Sequence, residues 1–197
     1  DLLGNIEHPE SWRLQQSRSW SMEKWEDLDQ QRNQARQHNA EGVMLKHVKS
    51  PYLSGRKRGN WWKHKLEPMS LDAVLIYAQA GSGRRANLFT DYTFGLWTNT
   101  AEPQLVTFAK AYSGLNDAEI LELDRWIRRN TVQRFGPARS LKTELVFEIG
   151  FEGIHPSNRH KSGIAVRFPR ILRWRRDKTA EEADRLDTAR QLMSKRV

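Results

Sequence analysis

"SLDAVLIYAQAGSGRRANLFTDYTFGLWT", residues 70–98, decides how this chain folds. Residues 71–81 form an apolar run too short for a confident helical stripe and rich in β-branched and aromatic types, so they read as a strand. The Gly-rich segment 81–88 is a turn, and the aromatic segment 89–98 is a second strand. Outward from this pair, "QLVTFAKAY" (104–112) continues the sheet. "LNDAEILELDRWIRRNTVQRF" (115–135) predicts a helix, capped by Asn116 or Asp117, with Ile120, Leu123, Trp126 and Ile127 on its buried face. "ELVFEIGFEGI" (144–154) and "GIAVRFPRILRWRR" (163–176) read as the last two strands, joined by the polar turn "HPSNRHKS" (155–162). A final helix is expected over 179–196, with acids early and bases late as the helix dipole favours.

Strands joined by Gly-rich turns, with one helix midway, suit a small closed sheet such as the five-stranded oligonucleotide-binding (OB) barrel. A sandwich fits the strand count nearly as well. On the N-terminal side, "SMEKWEDLDQQRNQARQH" (21–38) predicts a helix capped by Ser21, with Met22, Trp25, Leu28 and Ala35 as its stripe. "EGVMLKHV" (41–48) and "WWKHKL" (61–66) read as strands either side of a Pro-, Gly- and Ser-containing loop. Pro68 interrupts any ladder and marks a domain boundary, dividing the chain into 1–68 and 69–197. The fold class expected is α+β.

The chain has 197 residues, 33 Lys and Arg against 24 Asp and Glu, and a formal charge of +9. Such an excess points to polyanions, nucleic acid before an anionic membrane surface. No apolar run reaches the ~18 residues that a membrane span needs, so no membrane partner is expected. Eight Trp and seven Phe argue against a disordered chain. The absence of cysteine excludes disulfides and Cys-type zinc sites, and fits a reducing, cytoplasmic setting. The chain opens on Asp1 without a methionine or signal-like segment, which suggests a piece of a longer protein.

Two regions concentrate the charge. Residues 41–65 hold seven Lys and Arg against one acid, and residues 159–178 hold eight against one. Strand alternation puts Trp61, Lys63 and Lys65 on one face of 61–66. Two ammonium groups about 7 Å apart repel by ~2 kcal/mol at an effective dielectric of about 20, and an anion between them removes that conflict. A phosphate or Glu41 could serve, and so could plain solvation. The arginines of 167–176 offer bidentate phosphate clamps, and Trp174 a stacking face. His155 and His160 match no metal spacing, "GSGRR" lacks the spacing of a phosphate loop, and no Ser/His/Asp grouping stands out.

Three stretches in order are less generic. "EGVMLK" (41–46), "NWWKHK" (60–65) and "RFPRILRWRRDK" (167–178) resemble motifs IV, V and VI of ATP-dependent DNA ligases, and 70–88 is similar to the start of that family's OB domain. The resemblance implies the end of a nucleotidyltransferase (adenylation) domain over 1–68 and an OB domain with a C-terminal helix over 69–197. It implies sealing of nicks in duplex DNA through lysyl-adenylate and DNA-adenylate intermediates, with ATP and Mg2+ or Mn2+ as cofactors. Glu41 would bind the metal, and Lys63 and Lys65 would contact the adenylate phosphate as cations, not as the nucleophile. Lys57, Arg58, Arg167, Arg170, Asp177 and Lys178 would lie at the nucleotide, and Arg84, Arg85, Arg159, Lys161, Arg173 and Arg175 at the DNA. The family's Lys-x-Asp-Gly nucleophile motif is not in the sequence. The chain is therefore expected to need the missing N-terminal half of the adenylation domain, to be monomeric, and to be inactive in self-adenylation alone. The alternatives are a non-catalytic OB-type DNA-binding module and a relative of the RNA-capping nucleotidyltransferases.

Overall fold

The computed structural model describes residues 19–38, 40–81, 83 and 86–194. The chain divides between Lys65 and Leu66 into two compact units. None of the helices among the described residues is long and apolar enough to cross a membrane.

The first unit contains α1 (Trp25–Gln34), a 3-10 turn (Ala35–His38) and the antiparallel pair β1 (Gly42–Lys46) and β2 (Trp61–Lys65). The helix starts four residues later than the sequence suggests. Lys24 occupies its N-cap without a side-chain bond, and Ser21 lies outside it. The expected stripe is only half realised: Leu28 and Ala35 are buried, but Trp25 is 76% exposed. The helix packs against β1, and Asp29 Oδ1 and Arg32 Nη1 lie 3.1 and 3.4 Å from His64 Nε2.

The second unit is built on β3 (Met69–Ala80), whose residues 73–76 are all buried. Its remaining strands are β4 (Phe89–Trp97), β5 (Leu105–Ala111), β6 (Thr131–Phe135), β7 (Ala138–Leu141), β8 (Val146–Phe151), β9 (Gly153–Pro156), β10 (Ile164–Arg167) and β11 (Arg170–Trp174). Strand β3 pairs with β4 on one side. On the other it pairs first with β8, over Met69–Val74, and then with β7, over Tyr77–Gln79. The main sheet runs β11-β8-β3-β4-β5. Its ends meet where the Ile171 N–H donates to the Ser113 carbonyl, 2.9 Å away and just beyond β5. This closes the barrel, and the side chains of alternate positions fill it.

Phe94 and Phe147 meet edge-on at 5.4 Å inside, as do Phe108 and Phe151 at 5.7 Å. Helix α2 (Asp117–Arg129) follows β5 and adds Leu123 and Ile127 to this core. Val74, Ile76 and Val146 form a second cluster, covered by Ala180 and Ala183. Trp97 Nε1 pins that cover by donating to the Ala180 carbonyl at 2.7 Å.

Four expected elements divide differently. Residues 144–154 break at Glu152 into β8 and β9, and β9 runs on into the expected turn and pairs with β10. Helix α2 ends at Arg129, and residues 131–135 are strand β6 of a hairpin with β7; the β-branched Thr131 and Val132 after Asn130 favour that change. Residues 163–176 split at Phe168-Pro169 into β10 and β11, since proline cannot donate to a ladder. The last helix becomes a 3-10 turn (Ala180–Glu182) and α3 (Leu186–Ser194).

Candidate functional site

The candidate residues fall into two groups, one in each unit. In the first, the register pairs Gly42 with Lys65, Met44 with Lys63 and Lys46 with Trp61, so these six share a face of the hairpin. Lys65 Nζ donates to Glu41 Oε2 at 2.9 Å. Simple alternation would put Glu41 with Val43 and Leu45, on the other face. It reaches Lys65 because Gly42, at φ +148, approaches β2 more closely than any residue with a Cβ could. Lys63 is exposed on the same face and makes no ion pair or hydrogen bond among the described residues.

The tryptophans divide their work. Trp61 lies under Lys46 Nζ at 4.3 Å, meets Tyr52 edge-on at 5.8 Å and donates from Nε1 to Ser50 Oγ at 2.9 Å. It thereby fastens the loop 47–60, which exposes Lys57 and Arg58. Trp62 remains 51% exposed. Among the described residues no three acidic, His or Cys side chains are grouped to hold a metal. Glu41 fits a single carboxylate ligand of an ion that takes its other oxygens from phosphate and water.

In the second unit the cationic stripe is largely neutralised by acids from distant segments. Arg170 Nη1 pairs with Glu152 Oε1 at 2.9 Å, and Arg173 Nη2 with Glu148 Oε2 at 3.1 Å. Arg176 makes a bidentate pair with Glu122 at 2.7 and 2.6 Å. Arg175 Nη1 and Lys178 Nζ both donate to Asp72 Oδ2, at 2.6 and 2.7 Å, and Arg175 Nη2 also donates to Asp177 Oδ2 at 2.6 Å. The other Asp72 oxygen is buried with no hydrogen-bond partner among the described residues. Hydrogen bonding from Arg175 holds the Asp177 carboxyl far below the usual carboxylate range, and the Arg175 guanidinium is correspondingly harder to deprotonate. Behind this network the Asp72 N–H donates to Asp184 Oδ2 at 2.8 Å, and burial raises the Asp184 carboxyl.

Arg159 and Lys161 are exposed in the β9–β10 turn. Arg84 and Arg85 lie outside the described residues. Sequence reasoning missed Phe168. It is 62% exposed, adopts φ +52, and lies 5.0 Å from the Arg167 guanidinium. A bulky residue in the left-handed region is strained and is held there only by its surroundings. The following Pro169 favours an extended backbone at negative φ before it, so no sequence signal announced this conformation.

A family model described as "ATP dependent DNA ligase domain" matches residues 1–65, and one described as "ATP dependent DNA ligase C terminal region" matches residues 85–178. A probable DNA ligase of Koribacter versatilis is 41% identical over 167 residues, 85% of this chain and 28% of that protein. A probable DNA ligase of Opitutus terrae is 42% identical over 158 residues, 80% of this chain and 16% of that protein. The chain thus spans less than a third of the length of these relatives. A solved structure from a study titled "DNA binding with a minimal scaffold: Structure-function analysis of Lig E DNA ligases" superposes with a TM-score of 0.53 at 22% identity, over 79% of this chain and 48% of that one.

Proposed function

We propose, from the premise that the chain belongs to the ATP-dependent DNA ligase family, that it works in sealing nicks in duplex DNA. Residues 1–65 would serve as the end of the adenylation domain and residues 66–197 as the OB domain. In the reaction a lysine outside this sequence attacks the α-phosphorus of ATP and expels pyrophosphate. The AMP moves to the 5′-phosphate of the nick, and the 3′-hydroxyl then displaces AMP to form the phosphodiester. Lys63 and Lys65 act as fixed cations on the adenylate phosphate, where negative charge builds in each transfer. Lys57 and Arg58 reach the nucleotide from the loop. A divalent ion, Mg2+ or Mn2+, held in part by Glu41, would supply further charge neutralisation. Arg159, Lys161, Arg173 and Arg175 would contact the duplex with Arg84 and Arg85, and Arg167 would lie with Arg170, Asp177 and Lys178 at the nucleotide. Arg170, Arg173, Arg175, Asp177 and Lys178 contribute from β11 and its extension, where their carboxylate partners fix their geometry.

The observation that carries this reading is the hairpin face, where Glu41 meets Lys65 and Lys63 is left to receive an anion. The experiment joins to this chain the Lys-x-Asp-Gly-bearing segment of an ATP-dependent DNA ligase that has one, and measures sealing of a nicked duplex. Sealing is expected, and Lys63→Ala is expected to reduce its rate by roughly 100-fold or more with thermal stability unchanged. A joined protein that seals equally well with Lys63→Ala defeats the assignment.

A further inference from the structure

Strand β6 is an open edge of the second unit. It pairs with β7 alone, and no other strand among the described residues lies along its far side. Residues 132–135 are all exposed, Val132 at 67% and Phe135 at 49%. A strand in this position presents backbone N–H and C=O groups in alternation, donors and acceptors together.

Its side chains add a second conflict. The register sets Arg134 directly opposite Arg139, and like charges so placed repel across a ladder. Arg139 is relieved in part. Its Nη1 donates to the Gly136 and Ala138 carbonyls at 2.6 and 3.0 Å, and its guanidinium lies 5.8 Å from the centre of the Phe89 ring. Arg134 makes no side-chain hydrogen bond or ion pair among the described residues. Neither does the side chain of Lys142, which its backbone N–H holds beside the start of β6, on the Asn130 carbonyl at 3.0 Å. Residues 128–142 hold five Lys and Arg and no Asp or Glu. Arg128 is paired with Asp124, and Arg129 lines a separate cleft with Arg125 beside the end of β11. Arg134, Arg139 and Lys142 therefore lack a carboxylate among the described residues, unlike the cations of β11.

The other face of this hairpin is partly apolar. Gln133 and Phe135 sit opposite Ser140 and Ala138, whose row continues to Tyr77 and Gln79 on β3. Tyr77 is itself 39% exposed. A strand added beside β6 would place alternate side chains next to Arg134 on one face and next to Phe135 on the other.

We propose that β6 receives an extended acidic segment of a partner protein, which lengthens the sheet by one strand. Its backbone completes the open ladder, an acidic side chain lies across from Arg134, and apolar side chains alternate with it against Phe135. A phosphate backbone would neutralise the cations, but its oxygens only accept hydrogen bonds and leave the outward carbonyls of β6 unpaired. A second copy of β6 would bring further positive charge to the same edge. The site lies outside the three stretches that resemble ligase motifs, and it does not depend on nick sealing.

The probe is a fluorescein-labelled nine-residue peptide of alternating glutamate and valine, titrated with the 197-residue chain and read by fluorescence anisotropy. Saturable binding is expected. The same peptide methylated at every backbone nitrogen keeps its charge but cannot donate to β6, and is expected to bind at least tenfold more weakly. Arg134→Gln with Lys142→Gln is expected to weaken the unmodified peptide by about tenfold, with the melting temperature not lowered because both side chains are exposed. An equal loss of charge elsewhere, Lys110→Gln with Arg190→Gln, leaves the affinity within about twofold. Absence of peptide binding, equal binding of the methylated peptide, or equal weakening by both pairs of substitutions overturns the proposal. So does a short duplex that displaces the peptide and itself binds more weakly to the Arg134/Lys142 variant, since that assigns the edge to nucleic acid.

Discussion

At Gly114 the backbone takes φ +116 and passes so close to β11 that a Cβ there would overlap the Ile171 carbonyl oxygen. The neighbouring bond from Ile171 N–H to the Ser113 carbonyl is where the ends of the main sheet meet, so the glycine permits closure of the barrel. Gly114→Ala is expected to cost about 2 kcal/mol or more, because the obstacle is backbone and cannot turn aside. Thermal denaturation checks this: a fall in Tm of several degrees is expected, and a variant melting with the wild type would show that the closure tolerates separation. Gly42 has the same character on a smaller scale, since its close approach to β2 lets Glu41 reach Lys65 against the strand alternation. Glycines look alike in a sequence. Which of them presses on another strand depends on a partner 23 or 57 residues away.

Helix α2 shows what an element owes to its own sequence. Asn116 Oδ1 accepts from the Glu119 N–H at 2.9 Å, and Glu119 Oε2 accepts from the Asn116 N–H at 2.9 Å. This reciprocal box satisfies two of the donors left over at a helix start. Asn116→Ala is expected to destabilise the second unit by ~1 kcal/mol, read as a shift in the urea midpoint with an unchanged slope. The cap and the buried Ile120, Leu123 and Ile127 were legible from residue spacing alone. The helix end was not. Asn130 closes α2, and Thr131 enters a strand because β7 is there to pair with it. Strand β11 shows a second limit. Its cations counted as a strongly positive stretch, yet each of Arg170, Arg173, Arg175 and Arg176 finds a carboxylate from another segment. A local charge count cannot see acids at Asp72, Glu122, Glu148 and Glu152.

Over the second unit as a whole, these pairs set how stability varies with pH. Asp177, Glu122 and Glu182 have carboxyls held below their ordinary values, chiefly by Arg175, by Arg176 and by the Thr179 backbone respectively. Their contribution is present above the ordinary carboxylate pKa of about 4 and is lost as pH falls through the depressed values. Asp184 runs the other way. Burial raises its pKa, so its contribution is present below the ordinary value and is lost as pH rises through the raised one. Melting curves from pH 3 to 7 should therefore show Tm falling towards acid, less steeply in Asp177→Asn. Asp184→Asn, which keeps an acceptor for the Asp72 N–H, should gain on the wild type more at pH 7 than at pH 4. A Tm difference independent of pH in both variants would contradict these assignments.

Residue order alone was enough for the ligase-like succession of charged strands, the α+β class, the strand-turn-strand start of the barrel and the start and buried face of α2. These rest on period, composition and short-range hydrogen bonding, all of which act between residues close along the chain. Tertiary contacts alone put Glu41 on Lys65, leave Lys63 without an ion pair among the described residues, gather Arg175 and Lys178 at Asp72, and turn Arg125 and Arg129 towards a cleft. Each of those depends on strand register or on packing between distant segments, and electrostatic energy follows distance in space rather than separation along the chain.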